Sequence, residues 1–284
     1  MKPLISIGSL IDTSFEHYRK HLPSILGITL WLLVAAIPSA IGILLSREGD
    51  DLGLATWASF GLNVVGGVIT VLASLHISVA LILAVREQRK GKSIDPRVVL
   101  RKAFSLDLSY IWAMILKNIF AVLLPLIPLI LAFAAFIFAL RSENTLLVNS
   151  LSILAFIAIL IALGGAIKFS LTYNFVPYAT VLEGKRGMES LRTSATLVRG
   201  RWWETFWRSF LPKALYTLIF VVALGVILWV TGIIAIAVSQ ESFVIAKFFA
   251  LLNFFISTLV NAFMLPLLLL NDYYLYDNLQ ETRE

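Results

Sequence analysis

LVRGRWWETFWRSF, residues 197–210, interleaves three tryptophans with Arg199, Arg201, Glu204 and Arg208. Arginines among aromatic rings suit a stacking platform for single-stranded nucleic acid. They equally suit a helix lying in the headgroup plane of a membrane. Composition separates the two. The chain has 284 residues, 59% hydrophobic and 14% charged, and its mean hydropathy is strongly positive. A soluble domain carries about 25% charged residues, so this chain has too few charges to cover its own surface. Lipid must cover the rest, and the tryptophans read as an interfacial aromatic belt.

Outward from that stretch, six long uncharged runs occupy 22–46, 52–85, 118–140, 144–167, 214–240 and 248–271. A bilayer core needs ~20 apolar residues as helix, and unpaired backbone groups are not tolerated there. The expectation is an all-α polytopic membrane protein with six transmembrane helices. Asp12, Glu16, Arg19 and Lys20 occupy the place of a signal peptide's apolar core, so the first span is read as retained. There is no cysteine, which excludes disulfides and cysteine-ligated metals.

Lysine and arginine orient the spans. Three precede the first run, seven lie in 86–107 and seven in 183–213. The alternate connections hold one each, Arg47, Arg141 and Lys247, beside Glu48, Asp50, Asp51, Glu143 and Glu241. That asymmetry predicts a cell (inner or plasma) membrane protein with both termini cytoplasmic. The net charge of +6 then reflects orientation rather than affinity for nucleic acid.

The chain repeats a unit of roughly 90 residues. A shift of 180 sets Thr13-Ser14 on Thr193-Ser194 and Arg19 on Arg199. A shift of 91 sets Leu100-Arg101 on Leu191-Arg192, Trp112 on Trp203 and Lys117 on Arg208. In the return spans Val176-Pro177 resembles Leu265-Pro266, with a proline-free counterpart near Val79-Ala80. A single membrane domain, 1–284, is therefore expected to comprise pseudo-repeats of about 5–92, 93–183 and 184–284. Each would begin with a cytoplasmic amphipathic interfacial helix.

At ~100° per residue, Leu191, Ala195 and Val198 share one face while Glu189, Arg192, Thr193, Thr196 and Arg199 crowd the other. Beyond Gly200 the polar stripe becomes Arg201, Glu204, Thr205 and Arg208. The jump predicts a bend at Gly200. Arg199, Arg201, Trp202, Trp203, Trp207 and Arg208 are the expected lipid-interface residues, the arginines meeting anionic headgroups at ~1 kcal/mol each.

Four residues are candidates for a cavity or ligand. Lys168 interrupts more than thirty apolar residues, and an ionisable group in mid-span marks a functional site by default. Snorkelling, or a span ending near Lys168 and followed by a half-buried segment, are its alternatives. Tyr173 and Asn174 lie beside it, where Pro177 disturbs the helix. His76, ten residues before Arg86, suits an interhelical hydrogen bond or a proton relay. His17 and His21 have a metal-compatible spacing but lie around Arg19 and Lys20, so solvated interfacial histidines are expected. Gly66-Gly67 and Gly164-Gly165 are expected at close helix contacts.

No phosphate-binding loop, nucleophile elbow, paired-carboxylate set or metal-ligand cluster is present, so neither catalysis nor a cofactor is expected. The third unit, GKRGMESLRTSATLVRGRWWETFWRSF (184–210), and the ending LPLLLLNDYYLYDNL (265–279) carry a family resemblance. Together with IGSLIDTSFEHYRKHL (7–22), they resemble the membrane domain attached to some bacterial glycerophosphoryl diester phosphodiesterases. That domain also occurs as stand-alone six-span proteins. The hydrolase activity belongs to a separate soluble barrel, so the resemblance implies fold and location but carries no catalytic residue over. Two functions remain. One is non-catalytic handling of lipid or another amphiphile, in transport or membrane homeostasis. The other is an accessory protein, docking a partner or a second copy through its elbows and tyrosine-rich tail.

Overall fold

A computed structural model describes residues 3–46, 54–141, 145–239 and 243–282. The connections 47–53, 142–144 and 240–242, which hold Arg47, Glu48, Asp50, Asp51, Glu143 and Glu241, lie outside the described residues. The protein is all-α, without a strand among the described residues, and six helical stretches are long and apolar enough to cross a membrane.

Helix α1 (Ile7–Lys20) starts at Ser6, whose Oγ accepts the Ser9 N–H at 3.1 Å. The first span follows in three pieces, α2 (Leu22–Thr29), α3 (Trp31–Ala35) and α4 (Ile37–Leu45). Pro38 has no N–H to give the preceding turn, and the helix is interrupted at Ala36. The return span, α5 (Leu54–Arg89), is unbroken.

The middle stretch departs from the expected pattern. Helix α6 (Pro96–Asn118) passes through one π turn, Ile119–Leu123, directly into α7 (Leu124–Leu140). No separate elbow precedes this span, because no glycine or proline occurs between Pro96 and Pro125. Pro125 lacks an N–H, and the π turn stands just before it, with the Leu124 N–H donating to the Ile119 carbonyl. Helix α8 (Thr145–Thr172) returns and gives way to the short α9 (Val176–Glu183). Gly184, at φ +71°, ends α9 in the left-handed conformation that suits glycine. Helix α10 (Met188–Val198) is separated from α11 (Trp202–Ser239) at Gly200, φ +82°, where the shift of the polar stripe places a bend. Helix α12 (Phe243–Glu281) completes the chain.

These helices are longer than a membrane is thick. The 36 residues of α5 extend about 54 Å at 1.5 Å per residue, against ~30 Å of hydrocarbon. Exposure shows how that length divides. In α5 the last large apolar residue left exposed is Leu72, about 20 residues from the start, and 77–85 are then buried on nearly every side. In α12 the last exposed large apolar residue is Leu259, and 267–279 are mostly buried. In α8 the last exposed large apolar residue is Ile167, and Leu171, Phe175 and most of α9 are buried. A helix apolar all round is stable only inside protein or lipid. The three return helices therefore run from a lipid-facing part into a protein-packed part.

Packing divides the chain into two compact units. One comprises Ile5–Asp107 with Trp207–Asp277. Within it, α4 and α5 meet closely: a Cβ on Gly66 would collide with Ser39 Oγ, and one on Gly42 would lie 2.8 Å from Asn63 Nδ2. Ser59 Oγ donates to the Gly42 carbonyl at 2.7 Å, and Thr231 Oγ1 donates to Asn253 Oδ1 at 2.7 Å. The other unit comprises Leu108–Phe206 with both chain ends. Its core gathers Ala113, Val176 and Leu191 under Leu116, Phe120 and Tyr173. Gly165 packs against Pro125, whereas Gly67 and Gly164 face open space.

Candidate functional site

The turn at Gly91 joins α5 to α6, and a polar side chain of one helix meets a polar side chain of the other. His76 of α5 and Asp107 of α6 are such a pair. The His76 Nδ1–H donates to Asp107 Oδ2 at 2.7 Å, with side-chain exposures of 17% and 19%. The Phe104 ring, one turn before Asp107, lies against the imidazole at 4.3 Å. The second carboxylate oxygen, Asp107 Oδ1, is buried and accepts no hydrogen bond among the described residues. Leaving a buried carboxylate oxygen unpaired is costly.

His76 also ends an apolar stripe. Val65, Ile69, Leu72 and His76 are spaced four, three and four apart, which sets them on one face of α5. The three apolar side chains are exposed. They cover about 16 Å of helix leading to the imidazole. Phe104, 70% exposed, adds an apolar edge on the α6 side. A polar pair with a free acceptor thus stands at the end of a lipid-exposed track.

The other candidate cavity residues belong to the unit of Leu108–Phe206. Lys168 is exposed, one turn from the end of α8, as the snorkelling and early-ending alternatives require. Its carbonyl accepts the Thr172 hydroxyl at 2.7 Å and the Trp202 indole N–H at 3.4 Å. Tyr173 stacks on Phe169 at 6.2 Å and packs over the unit's core, so it is structural. Asn174 is half-buried in the turn joining α8 to α9.

The arginine–tryptophan stretch also divides. Arg199, Trp203 and Trp207 are exposed, as an interface requires. Arg201 instead donates to Thr282 Oγ1 at 3.0 Å, and Arg208 Nε donates to the Ile5 carbonyl at 2.7 Å. Trp202 is half-buried and stacked on Phe206 at 5.4 Å. These three side chains serve intramolecular contacts rather than standing free for headgroups: Thr282 meets Arg201, Ile5 meets Arg208, and Phe206 with the Lys168 carbonyl meets Trp202.

A polar cluster that the sequence did not reveal surrounds His17. Its side chain is buried rather than solvated: Nε2–H donates to Gln88 Oε1 at 2.8 Å, and Nδ1 accepts the Tyr274 hydroxyl at 2.9 Å. Burial holds the imidazole below its ordinary value of 6.5. The Gln88 hydrogen bond opposes that shift, while His21, Arg89 and Lys20 reinforce it. Arg89 pairs with Asp277 and lies over the Tyr273 and Tyr274 rings. The tyrosine-rich ending is therefore no free tail, since Tyr273, Leu275 and Tyr276 are buried within α12's packing. No family model, curated protein or solved structure matches the chain.

Proposed function

We propose that this is a multi-pass protein of the cell membrane, termini cytoplasmic, that binds or moves lipid or another amphiphile without transforming it. The observation that carries the proposal is the His76–Asp107 pair at the end of the Val65–Ile69–Leu72 stripe. An acyl chain along α5 would bring its head to the one end of that stripe where polar groups wait. The basic connections, 86–107 and 183–213, support the orientation. The resemblance to the six-span membrane domain of glycerophosphoryl diester phosphodiesterases agrees with it. Docking of a partner through the C-terminal tyrosines is the weaker function, because those rings are committed to internal contacts.

Photo-crosslinking in native membranes tests the proposal. A lipid bearing a diazirine in its acyl chain should label 65–76 above comparably exposed stretches of α11, such as 218–230. Uniform labelling over all six spans would sink it.

A further inference from the structure

We infer that the head accepted at His76 and Asp107 is a primary ammonium, an inference that rests on the amphiphile proposal above. The atoms on offer are acceptors. Asp107 Oδ2 already takes the His76 Nδ1 hydrogen at 2.7 Å, which leaves Oδ1 buried with a free lone pair. With a ring hydrogen on Nδ1 in that bond, the tautomer that carries no second one has Nε2 as a further acceptor. A ligand that satisfies both must donate at least two hydrogens, and one that balances the carboxylate must be positive. An ammonium does both, since it has three donors and no acceptor.

Anionic heads are disfavoured by the same atoms. A phosphate would set its oxygens against Asp107 Oδ1, and no basic residue of α6 lies within one turn of Asp107. Arg101 and Lys102 stand six and five residues before Asp107, which places them on other sides of the helix. On α5 the next basic residue, Arg86, is ten residues beyond His76, about 15 Å along the axis. Phe104, against the imidazole, closes one side of the pair with a ring whose face favours a cation.

The full chain in phosphatidylcholine nanodiscs, titrated with simple amphiphiles, tests this. Dodecylammonium should bind saturably, roughly tenfold or more tighter than dodecyltrimethylammonium, which has the charge but no N–H. Dodecyl phosphate should bind more weakly still. The isosteric Asp107→Asn variant, which keeps an acceptor for His76 but loses the charge, should lose the dodecylammonium preference. Equal binding to Asp107→Asn and the wild type would overturn the inference, as would dodecyl phosphate binding as tightly as dodecylammonium. If the phosphate binds and the ammonium does not, the amphiphile function stands and the ammonium falls. If no tailed probe binds, both fall. Butylammonium separates the sources: binding equal to dodecylammonium would keep the head and remove the lipid. Should Asp107→Asn fail to fold, the wild-type head series decides alone.

Discussion

His17 Nδ1 accepts the hydroxyl hydrogen of Tyr274 at 2.9 Å across 257 positions of sequence, joining α1 to the last turns of α12. Removing the donor should leave a buried ring nitrogen unpaired, at a cost of ~1–3 kcal/mol. Tyr274→Phe should therefore lower the melting temperature measured in detergent, although the ring's packing is retained. An unchanged melting temperature would show that the bond contributes nothing.

The same histidine gives stability a pH dependence whose sign follows from its environment. Burial lowers the folded-state pKa below 6.5, so the unfolded chain binds the extra proton as pH falls. The stabilisation is complete above 6.5 and is lost as pH falls through the folded-state value. Melting temperatures at about pH 7.5 and about pH 5 should differ more for the wild type than for His17→Asn, which cannot take up that proton. Equal differences would contradict the assignment.

Lys213 pairs with Asp272 at 2.6 Å, and Ser209 Oγ donates to the other carboxylate oxygen at 3.2 Å. Asp272 is buried, so removing the lysine should strand its charge and cost ~3–5 kcal/mol. Lys213→Met should be strongly destabilised, and Lys213→Met with Asp272→Asn should recover much of the loss. A double variant no more stable than the single would exclude the stranded charge as the cause.

Gly66 and Gly67 are neighbours with opposite expectations. A methyl group on Gly66 meets Ser39 at its Oγ and its backbone nitrogen, whereas one on Gly67 meets nothing within 4 Å. Gly66→Ala should force α4 and α5 apart, at ~1–3 kcal/mol. Gly67→Ala should be neutral or slightly stabilising. Thermal stability of the two purified variants measures the difference.

Trp202 and Trp203 should likewise separate. Trp202→Ala removes the stacking on Phe206 and the indole bond to the Lys168 carbonyl, so it should lower the melting temperature. Trp203 is 67% exposed, and Trp203→Ala should leave the melting temperature nearly unchanged. In the wild type the exposed indole should contribute quenching by brominated lipid, and Trp203→Ala should lose that contribution. A large melting shift in Trp203→Ala would contradict its exposed position.

Much of the architecture was legible because its causes are local. An uncharged run long enough to cross hydrocarbon has to be helical, and the stripe jump at Gly200 required a break that the positive φ supplies. The middle elbow expected from the repeat is absent for a cause equally local, since no glycine or proline between Pro96 and Pro125 interrupts the helix. His76 stood out in sequence as an ionisable group in a span. Asp107 did not, because it lies at the end of a basic connection, and its partner His76 stands on another helix. In sequence His17 reads as a solvated residue, because its two partners, Gln88 and Tyr274, come from remote helices.

The sequence alone determined the solvent and the secondary structure, because hydrophobicity and helix punctuation act over one or two turns. Tertiary structure decided which side chains are spent inside the protein and which remain available. Arg201, Arg208, Trp202 and the terminal tyrosines look the same in sequence as Arg199 and Trp203, and packing alone separates them. The free oxygen of Asp107 is likewise a property of the fold rather than of any motif, since a lone pair is left unpaired only once every neighbour has been placed.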